Sequence, residues 1–165
     1  MADLMSKTAL VTGGGTGIGF GIAAKLMEAN AQVTIAGRRE DVLNEAAERL
    51  DASVSSSGNI KVVCCDVTDA LAVRNAVEVA ANDKGVLDIA VANAGIGAGG
   101  PFLTMTDETL RSVLEVNVVG AFNTIQAAAE TMRLSGGSII AISSIAGALG
   151  LSLIHISEPT RQAMI

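Results

Sequence analysis

Five glycines fall within the eight residues Thr12-Gly-Gly-Gly-Thr-Gly-Ile-Gly19. A short apolar run, residues 8–11, precedes them, and Ile18, Ile22, Leu26 and Ala29 follow at helical spacing. A strand, a glycine turn and a helix in that order aim backbone N–H groups and the positive end of a helix dipole at one point. A pyrophosphate can sit there. Side chains would block that approach, which explains the glycines. The spacing is Gly13-x-x-x-Gly17-x-Gly19, not G-x-G-x-x-G, and no Gly-Lys-Ser/Thr follows as in a Walker A loop. A tight turn that binds nothing is the alternative.

Eighteen residues after Gly19 stands Gly37, followed by Arg38 and Arg39. A site for NAD usually carries a carboxylate there, bonded to the ribose 2′-OH. Two guanidinium groups suit a 2′-phosphate instead, so the expected cofactor is NADP rather than NAD. The competing reading is a solvated helix start, at which two arginines would oppose the dipole.

The elements that must position this loop alternate along the chain. Apolar runs at 8–11, 32–36, 60–65, 87–92 and 138–143 read as strands. Residues 40–50 read as a helix with Leu43, Ala46, Ala47 and Leu50 inward, and 51–59 as a loop. Residues 69–82 read as a helix burying Val73, Ala76, Val77 and Ala80. After the glycine-rich loop 95–100, Thr106 can cap a long helix reaching about Leu134, with Asp107 and Glu108 in its first turn. Continuous apolar strands joined by helices predict an α/β fold, a doubly wound parallel sheet.

Composition narrows the function classes. Hydrophobic residues make up 50% of the 165, mean hydropathy is +0.49, and the aromatic residues are three phenylalanines. A core of small aliphatic residues and glycine follows. The net charge of −6, without a Lys/Arg block, argues against nucleic acid and anionic membranes as partners. Residues 134–157 carry one uncharged apolar stretch up to Glu158, but its glycines and serines favour a buried strand and loop over a membrane span. Cys64 and Cys65 are adjacent, so on a strand they point to opposite faces and do not bridge. They read as small core residues in a reducing cytosol, and no Cys/His spacing suggests a metal.

Taken together, these residues resemble the short-chain dehydrogenase/reductase family, in its TGxxxGxG subgroup. The motifs match in order over residues 7–150: Thr12 to Gly19, Asp66-Val67, Asn93-Ala94-Gly95, Asn117 within Glu115-Val-Asn-Val-Val-Gly120, and Ser143-Ser144. The resemblance implies a Rossmann-like domain over residues 1–150 and an oxidoreductase that moves a hydride between NADP and a carbonyl or secondary alcohol. Gly13, Gly15, Thr16, Gly17, Ile18 and Gly19 would hold the cofactor's phosphates. Asp66, with Val67 beside it, would bond the adenine. Asn93, Ala94 and Gly95 would border the ribose, Asn117 would hold a relay water, and Ser144 would orient the substrate oxygen. A homo-oligomer in the cytoplasm is the family's usual state. Two other readings of the residues stay open: Asp66 as a helix cap, and Asn117 as the partner of a local backbone kink.

One departure matters most. The family's proton donor is a Tyr thirteen residues after the catalytic Ser, with a Lys four later, and this chain has no Tyr. Ser157 and Arg161 stand at those positions. A serine hydroxyl is too weak an acid for the task, and Arg cannot share a proton as Lys can. Residues 151–161 also match, codon for codon, a translated transposase-type sequencing adapter. We therefore expect 151–165 to be a non-native tail, the native gene to continue after Gly150, and the chain to stop its sheet at the fifth strand, with an unpaired edge and poor solubility. The resulting alternatives are an oxidoreductase whose proton-transfer residues are absent here, or an NADP-binding relative without catalysis.

Overall fold

A computed structural model of the protein describes residues 3–53, 60–98 and 102–144. The expected tail, 151–165, lies outside these residues. Five strands form one sheet: β1 Thr8–Thr12, β2 Gln32–Gly37, β3 Ile60–Cys64, β4 Ile89–Ala92 and β5 Ser138–Ala141. Their order is β3-β2-β1-β4-β5, and every pairing is parallel. The helices are α1 Gly17–Glu28, α2 Glu40–Ser53, α3 Ala70–Ala80, α4 Asp107–Leu114 and α5 Gly120–Met132.

The sheet is parallel because its strands are apolar on both sides and its connections are helical. β1 is buried along its whole length. Ala9 and Val11 point to one face, where α1 and α2 cover them through Ala23, Met27, Leu43, Ala46 and Leu50. Leu10 points to the other, with Val73, Ala76 and Val77 of α3 and Ala127, Ala128 and Met132 of α5. The chain winds outward from β1 through β2 to β3, then α3 returns it to β4 on the opposite side of β1. The order reverses between β1 and β4, and the crevice above their carboxyl ends is where a doubly wound sheet binds ligands.

Several expectations need correction. Ile18 does not face the core but is 67% exposed, whereas Gly19, Ala23 and Met27 are buried. Gly19 and Ala23, one turn apart, let the head of α1 lie close to the sheet, Met27 fills the space further along the same line, and Ile22 and Leu26 flank it, half-buried. α2 runs on to Ser53, past the expected loop start. The single long helix from Thr106 is two helices joined by a π-turn, Glu115–Val119. Thr106 does cap α4, its hydroxyl accepting from Thr109 N at 3.2 Å. Cys65 is buried but Cys64 is exposed, so only one of the two belongs to the core.

Among the described residues nothing pairs with the outer edge of β5, and Ile140 and Ile142 are exposed there. At the amino end of the sheet, Asp88 ties β1, β4 and β5 together. Its carboxylate accepts from Lys7 Nζ at 2.8 Å, Thr8 N at 3.0 Å and Thr8 Oγ1 at 3.2 Å, and its carbonyl accepts from Ser138 N at 2.8 Å. Burial works to raise the Asp88 carboxyl, but the Lys7 bond, the Thr8 amide and the Lys7 charge outweigh it and hold it below the usual carboxylate range. A lowered carboxyl contributes stability above its unfolded value, and that contribution fades as pH falls through the folded one. Asp88→Asn should therefore cost about 1 kcal/mol at pH 7. The gap to the parent should narrow as denaturant titrations are taken to pH values below the ordinary carboxylate range; a gap that does not change as the pH falls would contradict the assignment.

Candidate functional site

The glycine turn sits at the carboxyl end of β1, at the reversal of strand order. Gly13 has φ +66° and Gly17 has φ +55°, the left-handed region in which a side chain is strained. Gly13 N and Gly14 N both donate to Ala36 O, at 2.7 and 3.3 Å, which folds the turn back over β2. The backbone is also crowded. A Cβ on Gly13 would stand 2.9 Å from Ala94 Cα, and one on Gly14 would stand 2.6 Å from Ile35 Cγ2. A Cβ on Gly19 would strike Gly13 O and lie 2.5 Å from Asn93 Nδ2. Thr16 occupies the N-cap of α1, and its side chain makes no capping bond. The first-turn amides of α1 have no acceptor within the helix, so they can serve an anion.

Side chains latch this turn to β4. The buried Thr12 hydroxyl donates to Val91 O and accepts from Asn93 N at 3.0 Å and Ala94 N at 3.1 Å. In return, Asn93 Nδ2 donates to Thr12 O at 2.9 Å and Gly13 O at 3.3 Å. Asn93 thus braces the ends of two adjacent strands.

A cleft of about 420 Å³ opens above this latch. Every residue expected from the sequence to contact the cofactor lines it: Gly13 and Gly15 to Gly19 on one wall, Arg38 and Arg39 at the end of β2, Asp66-Val67 after β3, and Asn93 to Gly95 after β4. Gly37, Val42, Leu43, Cys65, Ile96 and Val116 also line it; of these the sequence drew attention to Gly37, Leu43 and Cys65, but not as cofactor contacts. Gly14, the one glycine of the turn not expected to touch the cofactor, does not line the cleft: it is buried beneath the turn, packed on Ile35.

Asp66 Oδ1 accepts from Thr68 N at 3.0 Å and Thr68 Oγ1 at 2.9 Å. The backbone bond from Thr68 is the largest influence holding this carboxyl below its usual value. Partial burial opposes it, and the Thr68 hydroxyl and the Arg38 charge add to it. Asp66 is therefore an ionised acceptor at neutral pH. It does not cap α3, because Asp69 does, accepting from Leu71 N at 2.8 Å and Ala72 N at 3.2 Å. Burial, then the charges of Asp66 and Asp69, push the Cys65 thiol up to about 11, so it lines the cleft as a neutral group.

Asn117 lies in the π-turn and outside the cleft lining. Its Oδ1 accepts from Ile96 N at 2.8 Å, and its Nδ2 donates to Ile96 O at 2.9 Å. Both ends of the amide clasp the loop that follows β4. Ser144 is exposed, three residues past the last residue of β5. Among the described residues no group of three or more His, Cys, Asp or Glu could hold a metal. No helix among them is long and apolar enough to cross a membrane.

A family model described as short chain dehydrogenase matches residues 7–156. The chain belongs to that family. Its relatives include the oxidoreductase asL5 of Sarocladium schorii, 36% identical over 98% of this chain and 63% of the relative. The L-2,3-butanediol dehydrogenase of Corynebacterium glutamicum is 35% identical over 97% of this chain and 62% of its own length. A short-chain type dehydrogenase/reductase from Mycobacterium ulcerans superposes with a TM-score of 0.86 at 34% identity, over 99% of this chain and 60% of that one. The chain thus spans about three fifths of the length of these short-chain dehydrogenase relatives.

The crowding at the turn yields a paired test. Gly19→Ala should cost about 1–3 kcal/mol in urea denaturation, because the new methyl has no room. Gly21→Ala, two residues on in the same helix and facing open space, should instead add up to about 1 kcal/mol. Equal effects at both positions would refute the close approach at Gly19.

Proposed function

We propose that this chain carries the dinucleotide half of an NADP-dependent oxidoreductase that acts on a carbonyl or secondary alcohol. One observation carries the reading: a glycine turn and two arginines face the same cleft at the reversal of strand order. The family uses nicotinamide cofactors, NAD or NADP, and the residues present fit such a group. The left-handed glycines leave amides at the head of α1 for a diphosphate. Arg38 and Arg39 would pair with a 2′-phosphate. Asp66, kept ionised, would accept from the adenine amino group, with Val67 against the ring. Asn93 to Gly95 would border the adenine ribose. When bound, the nicotinamide supplies or accepts a hydride.

The rest of the chemistry falls to side chains of the protein. Asn117 holds the loop after β4 and, by the family pattern, a relay water. Ser144 would orient the substrate oxygen. Proton transfer to that oxygen needs an acid of near-neutral pKa, and neither Ser157 nor Arg161 is one. This polypeptide should therefore bind cofactor without turning it over. The missing Tyr also favours the second reading, a binding protein of the same fold. The two separate on the native codons downstream of Gly150, which long-read resequencing of the source DNA would give: Tyr at 157 and Lys at 161 support the enzyme, other native residues the binder. The same sequencing tests residues 151–161 as foreign, since native codons continuing as this tail would refute that origin. A cytoplasmic setting, in which Cys64 and Cys65 stay reduced, completes the proposal.

Equilibrium binding to the 165-residue chain should favour NADP over NAD by about tenfold to a hundredfold, the range for losing charge-assisted hydrogen bonds. Replacing Arg38 and Arg39 together with Ala should erase most of that preference. Equal affinities in the parent would remove the argument from the arginines. No NADPH oxidation should be seen against a panel of ketones and aldehydes, and measurable turnover would overturn the assigned need for the Tyr.

A further inference from the structure

The loop after β3 carries Asp66 and Val67 into the cleft, yet no strand or helix holds residues 65–69. Its first residue is tied to β2, Cys65 N donating to Gly37 O at 2.8 Å, and its middle is held by α5. Asn123 Nδ2 donates to Val67 O at 2.9 Å and reaches Thr68 O at 3.5 Å. One turn earlier on the same helix face, Gly120 leaves room for the Val67 side chain: a Cβ there would stand 2.5 Å from Val67 Cγ2. Val67 is therefore gripped at its carbonyl and at its side chain by two residues three apart. Thr68, the next residue, passes that grip to Asp66 through its amide and hydroxyl, both on Oδ1. Among the described residues Oδ2 has no hydrogen-bond partner, which leaves it for a ligand.

We propose that Asn123 is a positioning residue for base recognition: it sets the Val67-Thr68 backbone so that Asp66 presents its carboxylate to the 6-amino group of adenine. Asn123 itself is absent from the cleft lining and acts only through that loop. The inference rests on the dinucleotide reading above and adds a specificity determinant to it.

The test compares NADP with its hypoxanthine analogue, in which a 6-oxo group replaces the amino donor. The parent chain should bind NADP more tightly than the analogue. Asn123→Ala should weaken NADP by about fivefold, as for one lost hydrogen bond, and the analogue by less than twofold, compressing the preference. Alanine is a good helix former, so α5 should persist, and thermal melting followed by circular dichroism checks this. Thr68→Val removes one of the two bonds on Asp66 Oδ1 without touching α5 and should compress the preference likewise, so it keeps the last link of the chain testable if Asn123→Ala fails to fold. Equal weakening of both nucleotides, or an intact preference in the variants, would overturn the proposal and leave the dinucleotide reading standing. A parent that binds both equally would overturn the role given to Asp66 and with it this inference. A parent that binds neither would overturn the dinucleotide reading as well.

Discussion

The close approach of three backbones at the carboxyl end of β1 is the constraint on which the site depends. Gly13, the head of α1 and Ala94 meet at distances that admit no Cβ. Such an approach needs residues without side chains, left-handed turns that glycine adopts freely, and a satisfied partner for each buried polar group. Thr12 and Asn93 supply the last of these, each bonding the other's strand end. The burial of β1 along its whole length follows, since it is the strand that both neighbours and both layers of helices must meet.

Charge is arranged around that frame. The chain as a whole is acidic, at −6, yet the cleft gathers two arginines and the amides of a helix head. That local reversal of sign is what an anionic ligand requires. The one carboxylate among them, Asp66, is kept ionised by Thr68 and Arg38, so it can accept a hydrogen bond but not donate one. Its neighbour Cys65 is kept neutral by burial. A single turn thus reinforces the ordinary protonation states of two adjacent residues, one neutral and one charged.

The segment from α4 to α5 ties the two other walls of the cleft to one body. Asn117 holds Ile96 after β4, and Asn123 holds Val67 after β3. Both are asparagines that reach main-chain atoms of loops rather than a ligand. The π-turn between the helices shifts the register by which Asn117 meets its loop. Loops between strands and helices carry the recognition groups, and a helix packed across them limits how they move.

Much was legible from local sequence. The alternation of apolar runs and helical spacings determined the parallel α/β fold, because both-sided burial demands continuous hydrophobic strands. The glycine turn and its place before the first helix determined where phosphate could sit, because backbone amides and absent side chains are properties of the local chain. Only the tertiary structure decided the rest. Ile18 fits the helical period as well as Ala23 does, but which face is inward depends on how closely α1 must approach the sheet. No glycine or proline lies within the π-turn itself, and Asp66 and Asp69 are equally good caps by type. Asn123 acts on a carbonyl 56 residues away, a partner no local pattern can name. Pairings of that kind exist only once the sheet has brought distant strand ends to one edge.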